Sequence, residues 1–247
     1  MNKLINLCWF FISILFSCQN KIEHHTIYII LPANAVSNHI VKKVIPEIEK
    51  YFISKHLVNI NQIDSTIKVD LKYATNQNFL HKPIYKGLVH CYLPCEVAIK
   101  LANAQTFLRE INPNLSLIVF DATRPLSIQQ KMWDELDLPI STKINYLAHP
   151  SDISLHNYGA AVDVGLITID NKLLDMGTDF DTFDKLSEPS KEWLCLKDST
   201  LSKEAYNNRK ILRKVMIRAK FTPISSEWWH FNSTNKSYAA FKYELIK

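Results

Sequence analysis

The chain has 247 residues, with 29 Lys and Arg against 24 Asp and Glu, for a formal net charge of +5. Lysines alternate with acids instead of forming blocks, and no aromatic single-strand platform accompanies them, which excludes nucleic acid as an expected partner. Hydrophobic residues make up 47% and no repeat or low-complexity stretch appears, so the composition suits a globular chain.

The first 18 residues read as an export signal. Lys3 gives a short basic head, and residues 4–16 are almost wholly apolar. That run is too short for a membrane span, which needs roughly 20 apolar residues. It ends in Leu15-Phe-Ser-Cys18, which resembles the cleavage box of bacterial lipoproteins, where the cysteine becomes the lipid-bearing first residue. The expectation is an exported, periplasmic protein held at the membrane by lipid on Cys18; a simple secretory signal with an incidental cysteine is the alternative. Cleavage leaves about 230 residues, enough for one sizeable core. Of the remaining cysteines, Cys91, Cys95 and Cys195, at most one pair can form a disulfide, and the sequence does not choose it.

Residues 19–60 read as a tether followed by an N-terminal helix, with Ile40, Val44, Ile48 and Phe52 at helical spacing and Pro46 interrupting. Residues 61–247 read as a single domain. Residues 67–71 alternate like a strand. Residues 94–111 predict a helix, with Pro94 in the first turn and Val97, Leu101, Ala104, Leu108 and Ile111 as one apolar stripe. Residues 115–120 form a near-continuous apolar run, a buried strand that delivers Asp121 to Pro125 at its end. A helix over 126–136 and a long loop over 139–153 follow.

A second strand is expected over 160–169. Asp170-Asn171 then signals a tight turn and a returning strand at 172–174. Only four glycines occur, so Gly159 and Gly177 mark backbone conformations that a side chain would disfavour. A second amphipathic helix spans 202–219, and a last strand spans 227–232. The sum is an α+β fold: a small, mostly antiparallel sheet with flanking helices.

Two stretches carry the chemistry, Ser154-Leu-His-Asn-Tyr-Gly-Ala-Ala-Val-Asp163 and Glu227-Trp-Trp-His230. His156, His230 and Asp163 offer two imidazoles and a carboxylate, a three-ligand zinc set with one position left open. Glu227 is a further carboxylate, as a zinc hydrolase needs for its general base. On a plain strand the three-residue spacing of Glu227 and His230 points them to opposite faces, so a bulge or turn must intervene if both serve one site. The bland alternative is a His156 satisfied by Asp163, with Glu227 on the surface.

These segments resemble the D-alanyl-D-alanine dipeptidase family, the VanX type of zinc peptidases. The resemblance runs through Asp70-Leu-Lys-Tyr-Ala-Thr75 with Asn78-Phe79, residues 121–125, 154–163, 175–181 and 227–230. It implies one Zn2+ per chain on His156, Asp163 and His230, with Glu227 as catalytic base. It also implies that Arg124 stabilises the transition state and that Tyr73, Ser154 and Asp181 bind substrate, Asp181 through the substrate ammonium. Asn157-Tyr158 departs from the Ser-Arg often found before the motif glycine, which bears on the substrate but not on the zinc site. Arg124 has a structural alternative as the ion-pair partner of Asp121, and Asp181 as a turn aspartate.

The expected activity is therefore zinc-dependent hydrolysis of D-alanyl-D-alanine or similar wall-derived dipeptides. A zinc D,D-carboxypeptidase that trims terminal D-alanine from peptidoglycan peptides shares the metal site but leaves the amino side of the pocket open. A non-catalytic, zinc-stabilised wall-binding lipoprotein has no use for an open position or for Glu227.

Overall fold

The computed structural model describes residues 44–144 and 147–247. The expected signal at 1–18, the lipid-bearing Cys18 and the tether up to residue 43 lie outside the described residues. In chain order the elements begin with α1 (Glu47–Ser54), β1 (Val58–Asn59), α2 (Ile60–Ile63), β2 (Lys68–Val69) and β3 (Tyr92–Leu93). There follow α3 (Cys95–Ile111), β4 (Leu115–Asp121), α4 (Leu126–Glu135), α5 (Ile140–Lys143) and β5 (Ala161–Thr168). The chain closes with α6 (Glu192–Lys197), α7 (Lys203–Arg218), β6 (Thr222–Pro223), β7 (His230–Asn232) and α8 (Lys236–Lys242).

The main sheet has the order β2-β4-β5-β7-β6. β2 joins β4 in parallel and every other pairing is antiparallel. Its two long strands are apolar almost throughout and buried on both faces. Period-two alternation sends Asp163 and Gly165 to one face of β5, and Val162, Val164 and Leu166 to the other. A register shift between Val119 and Asp121 ends the β4–β5 ladder at the level of Asp163, where the chemistry sits. β1 and β3 form a separate two-stranded ribbon.

The helices pack as their stripes dictate. Val97, Leu101, Ala104 and Leu108 of α3 are fully buried. Ile111 is exposed, so the stripe ends one turn earlier than the spacing predicts. α7 starts at Ser202, whose hydroxyl oxygen accepts from Ala205 N at 2.9 Å, and buries Leu212, Val215 and Met216. α1 begins after Pro46, which disrupts a helix interior but is tolerated at its start. It sets Phe52 into the main core.

Three expectations change. The loop expected over 139–153 contains α5 and a 3-10 turn at Pro150–Asp152. The returning strand after Asn171, which turns at φ 61°, makes one bridge, Ile167 to Leu173, and the chain then leaves the sheet. The last strand begins at His230 and not at residue 227. Cys91 and Cys195 are buried free thiols, so no two of the three cysteines left open above form a disulfide with each other. No helix among the described residues is long and apolar enough to cross a membrane.

Candidate active site

His156 lies on a 3-10 turn, Leu155–Tyr158, built by its neighbours. Ser154 Oγ accepts from His156 N at 3.3 Å, and Asn157 Oδ1 accepts from Ser154 N at 2.8 Å. Asn157 Nδ2 donates to Arg124 O at 2.8 Å, and Arg124 N donates to His156 O at 2.9 Å, which ties the turn to the end of β4. Gly159 closes the turn at φ 63°, a left-handed conformation that costs a residue with a Cβ about 1–2 kcal/mol. The chain then enters β5, which carries Asp163. In the ladder Asp163 stands directly opposite His230 of β7.

Three atoms converge at this point. His156 Nε2 is 3.2 Å from His230 Nδ1 and 3.4 Å from Asp163 Oδ1, and His230 Nδ1 is 3.1 Å from that same oxygen. The outward nitrogens are anchored, since His156 Nδ1 donates to Ala122 O at 2.7 Å and His230 Nε2 to Asn232 Oδ1 at 2.8 Å. These anchors fix the tautomers, so His156 offers Nε2 and His230 offers Nδ1. A tetrahedral zinc with bonds of about 2.0–2.2 Å separates its ligand atoms by about 3.3–3.5 Å. The observed edges lie within a few tenths of an ångström of that, and the donor set fits the ion. Among the described residues this is the one group of three such side chains able to hold a metal. Burial works to raise the Asp163 carboxyl, but the two imidazoles hold it well below the ordinary carboxylate range.

Glu227 lies between two bends before β7, which resolves the spacing conflict: it does not share the strand geometry of His230. Its Oε2 is 3.8 Å from His230 Nδ1, beside the donor set and outside it. Burial pushes the Glu227 carboxyl up to about 7, with His230 lowering it and Asp163 raising it further. A carboxyl with its proton affinity near neutrality can both take and return a proton in one turnover.

Arg124 is buried and makes the ion pair with Asp121 that its structural alternative expects. Asp121 Oδ2 accepts from its Nε at 2.9 Å and its Nη2 at 2.7 Å, while Gln129 Oε1 accepts from Nη1 at 2.9 Å. A guanidinium has five N–H donors. One N–H on each terminal nitrogen is left over from these bonds, Nη2 also stands 3.9 Å from Asp163 Oδ2, and Arg124 borders the cavity. Its guanidinium carbon stands 5.2 Å over the ring of Tyr73.

The cavity has a volume of about 220 Å³ and is lined by every site residue predicted in the domain: Tyr73, Arg124, Ser154, His156, Asp163, Asp181, Glu227 and His230. That volume is below the roughly 300–1,000 Å³ of drug-sized pockets, so it suits a small substrate. A larger cleft of about 710 Å³ beside β5 contains none of these three donor side chains. Asp181 adopts φ 60°, and its buried Oδ2 has no hydrogen-bond partner among the described residues. Burial raises the Asp181 carboxyl well above its ordinary range, against the opposing pull of the Tyr73 hydroxyl. Asn157 and Tyr158, where the sequence departs from the related pattern, do not line the cavity. Asn157 is a buried strut, and Tyr158 packs with Ala160 and Ala239.

Sequence reasoning did not find Gln129, which grips Arg124 and donates to Ala148 O at 2.8 Å, or Asn232, which orients His230. Asn232 stands two residues after His230, a spacing that puts both on one face of a strand and could have pointed to it. Gln129 stands on α4 five residues after Arg124 and carries no comparable signal.

An imidazole–imidazole–carboxylate set beside an uncoordinated carboxyl and a buried guanidinium is the site of a metal-dependent hydrolase. Comparison with known proteins gives the family. Residues 53–247 match the peptidase family M15 profile described as D-ala-D-ala dipeptidase, and the chain belongs to this family of metallopeptidases. The D-alanyl-D-alanine dipeptidase of Escherichia coli strain K12 is 30% identical over 175 residues, covering 71% of this chain and 83% of that protein. The enzyme of that name from Enterococcus faecalis is 25% identical over 190 residues, covering 70% and 88%. A third, from Synechocystis, is 26% identical over 183 residues, covering 63% and 74%.

Proposed function

We propose that the protein is a zinc dipeptidase that hydrolyses D-alanyl-D-alanine, or similar dipeptides derived from the cell wall, to free amino acids. The observation that carries this reading is the meeting of three metal donors, a separate half-buried carboxyl and a buried arginine around one small cavity. His156, Asp163 and His230 would hold the ion. Zinc supplies a Lewis acid for the scissile carbonyl and lowers the pKa of a water to about 7. Glu227 takes the proton of the attacking water and returns it to the leaving amine. Arg124 turns its cavity-side N–H groups to the developing oxyanion, with Asp121 and Gln129 holding its plane fixed.

Tyr73, Ser154 and Asp181 serve the substrate, and Asp181 accepts its ammonium group. The buried, unpartnered Oδ2 of Asp181 supports this assignment, since a cation is what such an oxygen lacks. It also favours the dipeptidase over a D,D-carboxypeptidase, whose substrates extend past that point. With the export signal and Cys18, the reading places the enzyme at a periplasmic membrane face, where it meets wall fragments and not the cytoplasmic precursor pool.

The test is to incubate the zinc-loaded protein with D-Ala-D-Ala, L-Ala-L-Ala, N-acetyl-D-Ala-D-Ala and a wall pentapeptide, and to identify the products. Free D-alanine is expected from the first alone. Release of terminal D-alanine from the pentapeptide at a comparable rate would transfer the assignment to the carboxypeptidase.

A further inference from the structure

Arg209 of α7 is among the largest fully buried side chains of the described residues, and the reaction above makes no use of it. Its Nε donates to Met176 O at 2.6 Å and its Nη2 to Leu186 O at 2.9 Å. Those two carbonyls stand at the ends of the segment 176–186, and Asp181 is its midpoint. Glu192 Oε1, 3.5 Å from Nη1, supplies the counter-charge, and the guanidinium carbon lies 5.8 Å from the ring of Trp228. The segment has a second tie, because Thr178 Oγ1 accepts from Trp228 Nε1 at 2.9 Å, next in sequence to Glu227.

This clamp answers a need visible at the midpoint. Asp181 sits at φ 60° with a buried carboxylate oxygen unpartnered, a conformation that persists only where the surroundings over-determine it. A planar guanidinium can hold two carbonyls and a carboxylate in fixed directions, which a lysine ammonium cannot do.

We propose that Arg209 is a positioning residue. By holding both ends of the 176–186 segment it fixes the reach from Asp181 to the His156–Asp163–His230 donors, and so sets the length of substrate the site accepts. The proposal rests on reading Asp181 as the partner of the substrate ammonium.

The experiment measures kcat and KM on D-Ala-D-Ala and N-acetyl-D-Ala-D-Ala, with zinc content, for the zinc-loaded wild type, Arg209→Lys, Thr178→Val, Asp181→Asn and the Arg209→Lys/Asp181→Asn double variant. Arg209→Lys is expected to keep its zinc, to raise KM for the free dipeptide about tenfold or more, and to narrow the preference over the acetylated substrate equally. The double variant should be no worse than Asp181→Asn, because both changes act through one carboxylate. Thr178→Val, a near-isosteric change, should shift the preference in the same direction by less. A purely structural Arg209 would lower the melting temperature and leave the preference intact. An unchanged preference in Arg209→Lys overturns the proposal, as do additive losses in the double variant; should Arg209→Lys fail to fold, an unchanged preference in Thr178→Val overturns it. A wild type that cleaves both substrates equally removes the Asp181 reading itself, and the proposal with it.

Discussion

Asp163 and His230 are cross-strand partners, and the pairing that joins β5 to β7 also brings Asp163 Oδ1 to 3.1 Å from His230 Nδ1. The candidate metal site is thus written into the register of the sheet. A slip of one residue would send either side chain to the opposite face. His156 joins them from a turn fastened to the end of β4, so three separate chain segments meet at one point.

Metal content follows directly. Purified protein is expected to carry about one zinc per chain, and His156→Ala or His230→Ala to lose most of it, since two remaining donors fall short of a three-ligand site. Metal analysis after dialysis against a weak chelator decides this. Full occupancy in either variant would remove that histidine from the donor set.

Glu227 should separate from the donors by behaviour. Its Oε2 lies 3.8 Å from His230 Nδ1, beside the converging atoms. Glu227→Gln is expected to keep zinc and fold while kcat falls by about 10²–10⁴, the usual contribution of general acid–base catalysis. If this variant instead loses its metal, Glu227 is a ligand and another group must act as base.

Much of this site was legible before any coordinates. Asp163 stands out because, with His156 in the same motif and His230 in the second, it completes a two-imidazole, one-carboxylate set. His230 and Glu227 stand out as the second imidazole and a spare carboxylate; their spacing conflicts with a strand, and the structure resolves the conflict by starting β7 at His230. What was illegible depends on contacts between residues distant in the chain. Gln129 reads as an ordinary helix residue until it meets Arg124, and Arg209 reads as one more basic residue on α7 until it meets Met176 and Leu186. The two-residue strands β1 and β3 and the four-residue α5 are too short to show any period.

Gly159 offers a test of the turn that aims His156. A Cβ there would lie 2.6 Å from both Pro94 Cδ and Thr123 Oγ1, on a backbone at φ 63°. Gly159→Ala is expected to cost about 2–4 kcal/mol, combining left-handed strain with overpacking. Zinc affinity should fall with it, because the same turn carries His156. Thermal unfolding and a zinc titration measure the two effects, and unchanged zinc affinity in a destabilised variant would uncouple turn from ligand.

Acid stability should be set in part where α1 meets the residues before β3. Glu49 of α1 is buried, and its Oε1 accepts from Val89 N at 2.9 Å and His90 N at 3.1 Å. His90 Nδ1 lies 2.9 Å from the same oxygen, and the Tyr92 hydroxyl donates to Oε2 at 3.2 Å. Burial alone would raise this carboxyl, but the hydrogen bonds from Val89 and His90 outweigh it and hold the pKa below the ordinary 4.5. The fold therefore favours the charged form. The stability this contributes is complete above that ordinary value and is lost as pH falls through the lower, folded value. Glu49→Ala should cost about 1–3 kcal/mol near neutrality by leaving the buried Tyr92 hydroxyl and the part-buried Val89 and His90 amides without their acceptor. It should also flatten the decline of melting temperature on acidification below about pH 4.5, since the variant no longer has this proton to take up. Melting curves from about pH 7 to about pH 3 for both proteins measure the difference. Parallel decline in the two would mean that Glu49 does not govern how the N-terminal helix is held to the domain in acid.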